Sequence, residues 1–325
     1  MTKPINEEYM FDSLLTMIAT LFILLAVGFL SGKLNIIDEV ASKRLSALIL
    51  KVAQPALIVE SLIGMEYSRE NLILGLEALA LGFVVHAFMG LVAYLACIKI
   101  KNLDERKITE FAIIFGNCGF IGIPIMRSMY GNVGAFMTSF FIISFNMLIW
   151  SWGIAILARK RDDVKLTPRK IFFNFGSVPS IIGFILFIIP AFIPSFRLPA
   201  LLTTSISYVG SLCTPVSTMV IGALLSTRTV KQIFGSFKVY YLCAFKLILI
   251  PLTVCVIMKL LGFSEMWILF GTAITSMPSA AAVGMQAELY DIAPGYAAQG
   301  VGTSSLLSVA TMPLVIMLAE LIAKI

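Results

Sequence analysis

The stretch IIFGNCGFIGIPIM, from Ile113 to Met126, decides how the chain is read. It is apolar enough for burial, yet three glycines, an asparagine and a proline fall between Gly116 and Pro124. Pro124 removes a backbone donor and crowds the carbonyl four residues earlier. The glycines permit unusual backbone angles and close approach of another segment. In hydrocarbon, an interrupted helix leaves amides and carbonyls unsatisfied, so the break is tolerable only where protein or a watery cavity supplies partners. A half-helix starting there presents free N–H groups and partial positive charge, which suits an anion. The alternative is a proline kink packed against small residues.

The rest of the chain supports a membrane setting. Of 325 residues, 59% are hydrophobic and 13% charged, against about 25% charged in soluble domains. The apolar excess runs the whole length, which defines an all-α polytopic membrane protein. The N-terminal MTKPINEEYMFD lacks the basic region of a signal peptide, so SLLTMIATLFILLAVGFL reads as a retained first span. Five cysteines with no CxxC pair argue against a disulfide or zinc framework. A single histidine, His86, cannot build a metal site, and a packing role is expected for it.

Apolar windows give ten transmembrane helices, near 12–31, 44–63, 72–98, 109–129, 133–158, 172–193, 200–225, 237–260, 266–288 and 296–322. Sixteen lysines and arginines fall in loops on one side, against six on the other. Basic loops stay cytoplasmic, so both termini are expected outside a plasma (inner) membrane. The net charge of +6 is thus a topology signal, and no nucleic-acid partner is expected.

The longest connection, RKRDDVKLTPRK, divides the spans five and five. An odd number per half inverts the second half, giving two inverted five-helix repeats: 1–158 and 172–325, with 159–171 a cytoplasmic linker. The halves echo each other. Gln54-Pro55 in span two matches Thr214-Pro215 in span seven, and the glycine cluster of span four matches TSMPSAAAVGM, Thr275 to Met285, in span nine. Proline-interrupted spans at corresponding places in inverted halves point to a transporter binding site, here at broken, crossing spans four and nine.

GNCGFIGIPIMRSMYG, Gly116 to Gly131, resembles the fourth span of the auxin efflux carrier family, and MPSAAAVGMQAELY, Met277 to Tyr290, resembles its ninth. With Pro55 and the loop position, the resemblance covers the chain. The short central loop resembles bacterial members rather than the long-looped plant auxin carriers. The resemblance implies a homodimeric carrier of small organic anions such as malate, malonate or auxin-like acids. Spans 1, 2, 6 and 7 would form a scaffold against which spans 3–5 and 8–10 move as an elevator-type transport unit. It implies substrate binding by Asn117, Gly119, Gly122 and Pro124, with Pro278 on the partner segment. Asn146 falls where plant members carry a glutamine near substrate, and Glu77 where they carry an aspartate in a proton-linked supporting site. Plant members have a second proline in span nine, where this chain reads SAAAVG.

The remaining polar residues divide by depth. Glu77 is either a protonatable coupling group or an interfacial carboxylate. Lys51, one turn from Pro55, either attracts an entering anion or snorkels; Lys246 is expected to snorkel. Glu60, Glu110, Glu288 and Glu320 sit near span ends, where water contact is expected. Ser279 either satisfies a freed carbonyl or hydrogen-bonds a substrate carboxylate. No cofactor is expected beyond a coupling H+ or Na+. With no HExxH, no GxSxG and no pair of intramembrane aspartates, an enzyme is not expected. Two readings compete with organic-anion transport by alternating access: a sodium- or proton-coupled carrier of bile-acid-like or cationic molecules, and a receptor that moves nothing.

Overall fold

The structure, a computed structural model, describes residues 7–161, 173, 176–229 and 235–325. Most of the linker expected at 159–171, with Lys165, Arg169 and Lys170, lies outside the described residues, as do Lys3 and Lys231.

Among the described residues every regular element is helical and no strand forms. In chain order these are α1 (Glu7–Lys33), α2 (Glu39–Ile63), α3 (Arg69–Cys97), α4 (Leu103–Ile114), α5 (Cys118–Ala158) and α6 (Ser177–Phe192). There follow α7 (Ala200–Ser226), α8 (Phe237–Leu260), α9 (Glu265–Thr275), α10 (Ala281–Leu289) and α11 (Pro294–Lys324). Seven of them, α1, α2, α3, α5, α7, α8 and α11, are long and apolar enough to cross a membrane. Seven helices of that length stand beside ten apolar windows for a local reason. The 41 residues of α5 run on through an interruption at Tyr130 (φ −130°, ψ 15°) and Gly131 (φ 59°, ψ −143°), and α4, α6, α9 and α10 are each shorter than a full crossing. A β-carbon at Gly131 would meet nothing within 4 Å, so its positive φ, not space, calls for glycine there.

Four helical stretches widen into single π-turns, at Ile49–Ala53, Cys118–Gly122, Ile149–Gly153 and Phe245–Leu249. Three of these precede prolines: Pro55, Pro124 and Pro251. The carbonyl that each proline ring would crowd belongs to Lys51, Phe120 or Leu247, the middle residue of its π-turn. The wider turn moves that carbonyl off the ring, so these helices absorb a proline without ending. Hydrogen bonds spanning five residues close two of the turns, Gln54 N–H to the Ile49 carbonyl and Ile250 N–H to the Phe245 carbonyl.

The chain divides into two compact units. The first is drawn from Met1–Ala80, Gly119–Asn146 and Phe172–Arg228. In it α1 lies directly on α7, because Gly28 faces the Met219 backbone and Gly222 the Leu25 backbone, with no side chain on either glycine to separate the helices. An aromatic cluster of Phe136, Phe140 and Phe187 fills its interior. Arg127 pairs with Glu60 at 2.5 Å.

The second unit is drawn from Leu81–Cys118, Met147–Ile171 and Thr229–Ile325. Here α9 packs on α8 and α11, and α4 on α11. Trp152 lies over Gly90, and the Phe111 and Phe115 rings meet at a tilt with centroids 5.0 Å apart. Glu110, expected to meet water, is instead 3% exposed and held by Arg106 at 2.9 Å and by Arg159. A span-end position gives depth along the helix, whereas the partner that buries this carboxylate comes from a distant segment.

Candidate functional site

Helix α4 ends at Ile114, where Phe115 leaves the helix with extended angles (φ −99°, ψ 103°). Helix α9 ends at Thr275, and Ser276 to Ala280 are buried and non-helical. These two irregular segments, both in the second unit, cross as an antiparallel bridge at Gly116 and Ser279. The Asn117 N–H donates to the Pro278 carbonyl at 2.7 Å, and the Ala280 N–H to the Phe115 carbonyl at 2.9 Å. The Ser279 hydroxyl donates to the Ala112 carbonyl at 3.0 Å, satisfying one acceptor in the last turn of α4. The Ser279 N–H donates to Ser304 Oγ at 3.2 Å. Each segment thus supplies the partners the other lacks, which lets irregular backbone exist at full burial.

Two helical segments then start from the crossing. One begins at Cys118, directly after Asn117; the other is α10, whose N-cap is Ala280 and has no side-chain cap. Both present first-turn N–H groups and the positive end of a helix dipole.

The expected site residues are placed as follows. Asn117, Pro278 and Ser279 meet at the crossing, in the second unit. Gly119, Gly122 and Pro124 belong to the first unit. Gly119 and Gly122 are buried, and a β-carbon at Gly119 would come within 2.6 Å of Gln54 Nε2. Asn146, also in the first unit, is buried with its amide against Gly176, and its Nδ2 has no hydrogen-bond partner among the described residues. Glu77 and Lys51 are exposed. His86 is buried, with Nδ1 2.6 Å from the Gly82 carbonyl and its ring 5.8 Å from Phe115.

Three residues carry more than the sequence reading assigned them. Gln54 and Thr214, each just ahead of a proline, reach the segment after the crossing within the first unit. Gln54 faces Gly119, and Thr214 Oγ1 lies 3.4 Å from the Phe120 carbonyl, the acceptor that Pro124 leaves without its helical donor. Their shared position before Pro55 and Pro215 was the available signal. The third is Lys246, expected to snorkel but wholly buried, with its ammonium against Gly116. Among the described residues no group of three or more His, Cys, Asp or Glu could hold a metal ion.

Among the described residues the chain is all-helical, with seven apolar helices of membrane-crossing length, as in a polytopic membrane protein. The profile of the family described as "Membrane transport protein" matches residues 13–316, and the chain belongs to that family, the one that includes the auxin efflux carriers. It is similar to an uncharacterized transporter of Methanocaldococcus jannaschii, 26% identical over 277 residues, covering 83% of this chain and 87% of that protein. It is similar to an uncharacterized transporter of Methanothermobacter thermautotrophicus, 21% identical over 304 residues, covering 91% and 95%. A Rhizobium meliloti protein named "Putative malonate transporter" is 24% identical over 302 residues, covering 90% and 91%.

Proposed function

We propose that this protein carries small organic anions, with malonate-like carboxylates as first candidates, across the plasma (inner) membrane by alternating access. The observation that carries this reading is the buried crossing at Gly116 and Ser279. Two interrupted segments meet there, and a helical start follows each, that of α10 without a side-chain cap. First-turn N–H groups on these starts are donors of the kind a carboxylate accepts from. Membership of a transporter family supports transport over reception, and the name of the Rhizobium relative supports malonate as first substrate to test.

In this proposal Asn117 presents its side chain to the carboxylate, Ser279 fixes the crossing through its bonds to Ala112 and Ser304, and Pro278 holds its segment non-helical. Gly119, Gly122, Pro124 and Asn146 are assigned to substrate binding on the family resemblance. Glu77 is assigned to coupling on the same ground, with H+ or Na+ as the coupled ion, and Lys51 to the support site because, one turn from Pro55, its charge can draw in an anion. The finer architecture belongs to the proposal too: ten crossings in two inverted repeats, termini outside, an elevator-type movement of spans 3–5 and 8–10, and a homodimer built on spans 1, 2, 6 and 7. Uptake of radiolabelled malonate by proteoliposomes tests the function. Saturable uptake that Asn117→Ala abolishes supports it; binding of malonate without flux would make the protein a receptor.

A further inference from the structure

Among the described residues Lys246 is one of two wholly buried lysines, and the contrast between them is informative. Lys107 is 1% exposed and faces the Asp104 carboxylate at 3.5 Å. Lys246 is 0% exposed, and no ion pair forms at it among the described residues. Its hydrogen-bonding contact is Met89 Sδ at 4.0 Å, and a thioether is a weak acceptor. Taking an ammonium out of water without a carboxylate is strongly unfavourable. Snorkelling would avoid that cost, since the lysine stem could reach the interface. The side chain instead points into protein. A β-carbon on Gly116 would lie 2.9 Å from Nζ and 3.4 Å from Cε, so the end of Lys246 occupies the space that the absent side chain leaves at the crossing.

The electrostatics give this placement a consequence. Helices α4 and α9 end at the crossing, while the segment from Cys118 and α10 start there. Each end carries about half an elementary charge, negative at a C-terminus and positive at an N-terminus. Two of each sum to roughly zero. The crossing alone therefore has no preferred sign of ligand, and Lys246 makes it positive.

The geometry points to Lys246 as the fixed countercharge that receives the carboxylate of the transported anion at the Gly116–Ser279 crossing. This deepens the carrier reading and rests on it. The lysine selects anions over neutral and cationic analogues, and Gly116 is side-chain-free so that the ammonium can lie against the crossing. The partner missing from this buried cation is the cargo.

The test uses the full chain, with malonate as probe, in thermal-shift and proteoliposome assays of wild type, Lys246→Met, Lys246→Arg and Gly116→Ala. Wild type is expected to be stabilised by malonate and to take it up. Lys246→Met, which places an apolar chain of similar length in the same space, is expected to keep or exceed the ligand-free Tm. It should lose the malonate-induced shift and lower uptake at least about tenfold. Lys246→Arg should retain part of the binding. Gly116→Ala displaces the ammonium and should weaken malonate binding at unchanged Tm. If the Met variant does not fold, that glycine variant decides, and wild-type affinity in it overturns the proposal. A Lys246→Met protein with lowered Tm but an intact malonate shift also overturns it, leaving the lysine to balance the ends of α4 and α9. If wild type itself neither binds nor moves malonate or any related carboxylate, the carrier reading and this assignment fall together.

Discussion

The backbone N–H of Asn117 donates to the carbonyl of Pro278 at 2.7 Å, tying two interrupted segments 161 positions apart into one buried crossing. Pro278 has no N–H to give, so the bond runs in this direction only, and the Ala280 N–H completes the pair at the Phe115 carbonyl. Because that bond uses the Asn117 backbone, changing its side chain leaves the crossing intact. Asn117→Ala is therefore expected to fold with near-wild-type Tm while abolishing malonate binding. Titration calorimetry on the purified variant checks this, and wild-type affinity would remove Asn117 from the site.

Ser279 closes the same crossing through its side chain, donating to the Ala112 carbonyl. Ser279→Ala leaves that buried acceptor unmet and should destabilise the protein by about 1–3 kcal/mol. Thermal unfolding would read this as a drop in Tm. An unchanged Tm would show that the α4 end finds another donor.

Pro124 and Thr214 act on one carbonyl. Replacing Pro124 with Ala returns a backbone donor four residues beyond Phe120, so the π-turn at Cys118–Gly122 can close as ordinary α-helix. The expected outcome is a raised Tm with slowed malonate uptake, since the helix start is re-aimed. Thr214→Val should lower Tm modestly, because it removes a long 3.4 Å hydrogen bond. A destabilised Pro124→Ala with wild-type uptake would contradict this account.

Glu110 draws Arg106 and Arg159 to one buried carboxylate. Glu110→Gln removes its charge and leaves two arginines beside a neutral amide, at a cost of about 2 kcal/mol. Chemical denaturation should show that loss with malonate affinity unchanged, since the cluster lies outside the proposed site. Affinity falling in step with stability would link the cluster to binding.

What could be read in the sequence, and what could not, follows from the range of each interaction. The helix-breaking chemistry of Gly116 to Pro124 is local and was visible. The windows ending at 129 and resuming at 133 bracket the kink within α5, where the angles at Tyr130 and Gly131 are not helical. Lys246 and Lys51 look alike in sequence, each about eight residues inside a span. One is wholly buried against Gly116 and the other exposed, a difference set by packing partners far along the chain. Glu110 was misplaced for the same reason, since Arg159 stands 49 positions away.

Glu77 stands exposed on α3, so Glu77→Gln should leave Tm unchanged. If it serves coupling, the variant should also lose the stimulation of uptake by an imposed proton or sodium gradient. Gradient-driven uptake identical to wild type would return Glu77 to a surface role.

The most direct test of the central claim is malonate flux itself. Purified wild-type protein in proteoliposomes should take up radiolabelled malonate saturably, and the Asn117→Ala protein, shown to be folded, should not. No uptake of malonate, malate or indole-3-acetate by folded wild-type protein, under any imposed gradient, would contradict the assignment of this chain as an organic-anion carrier.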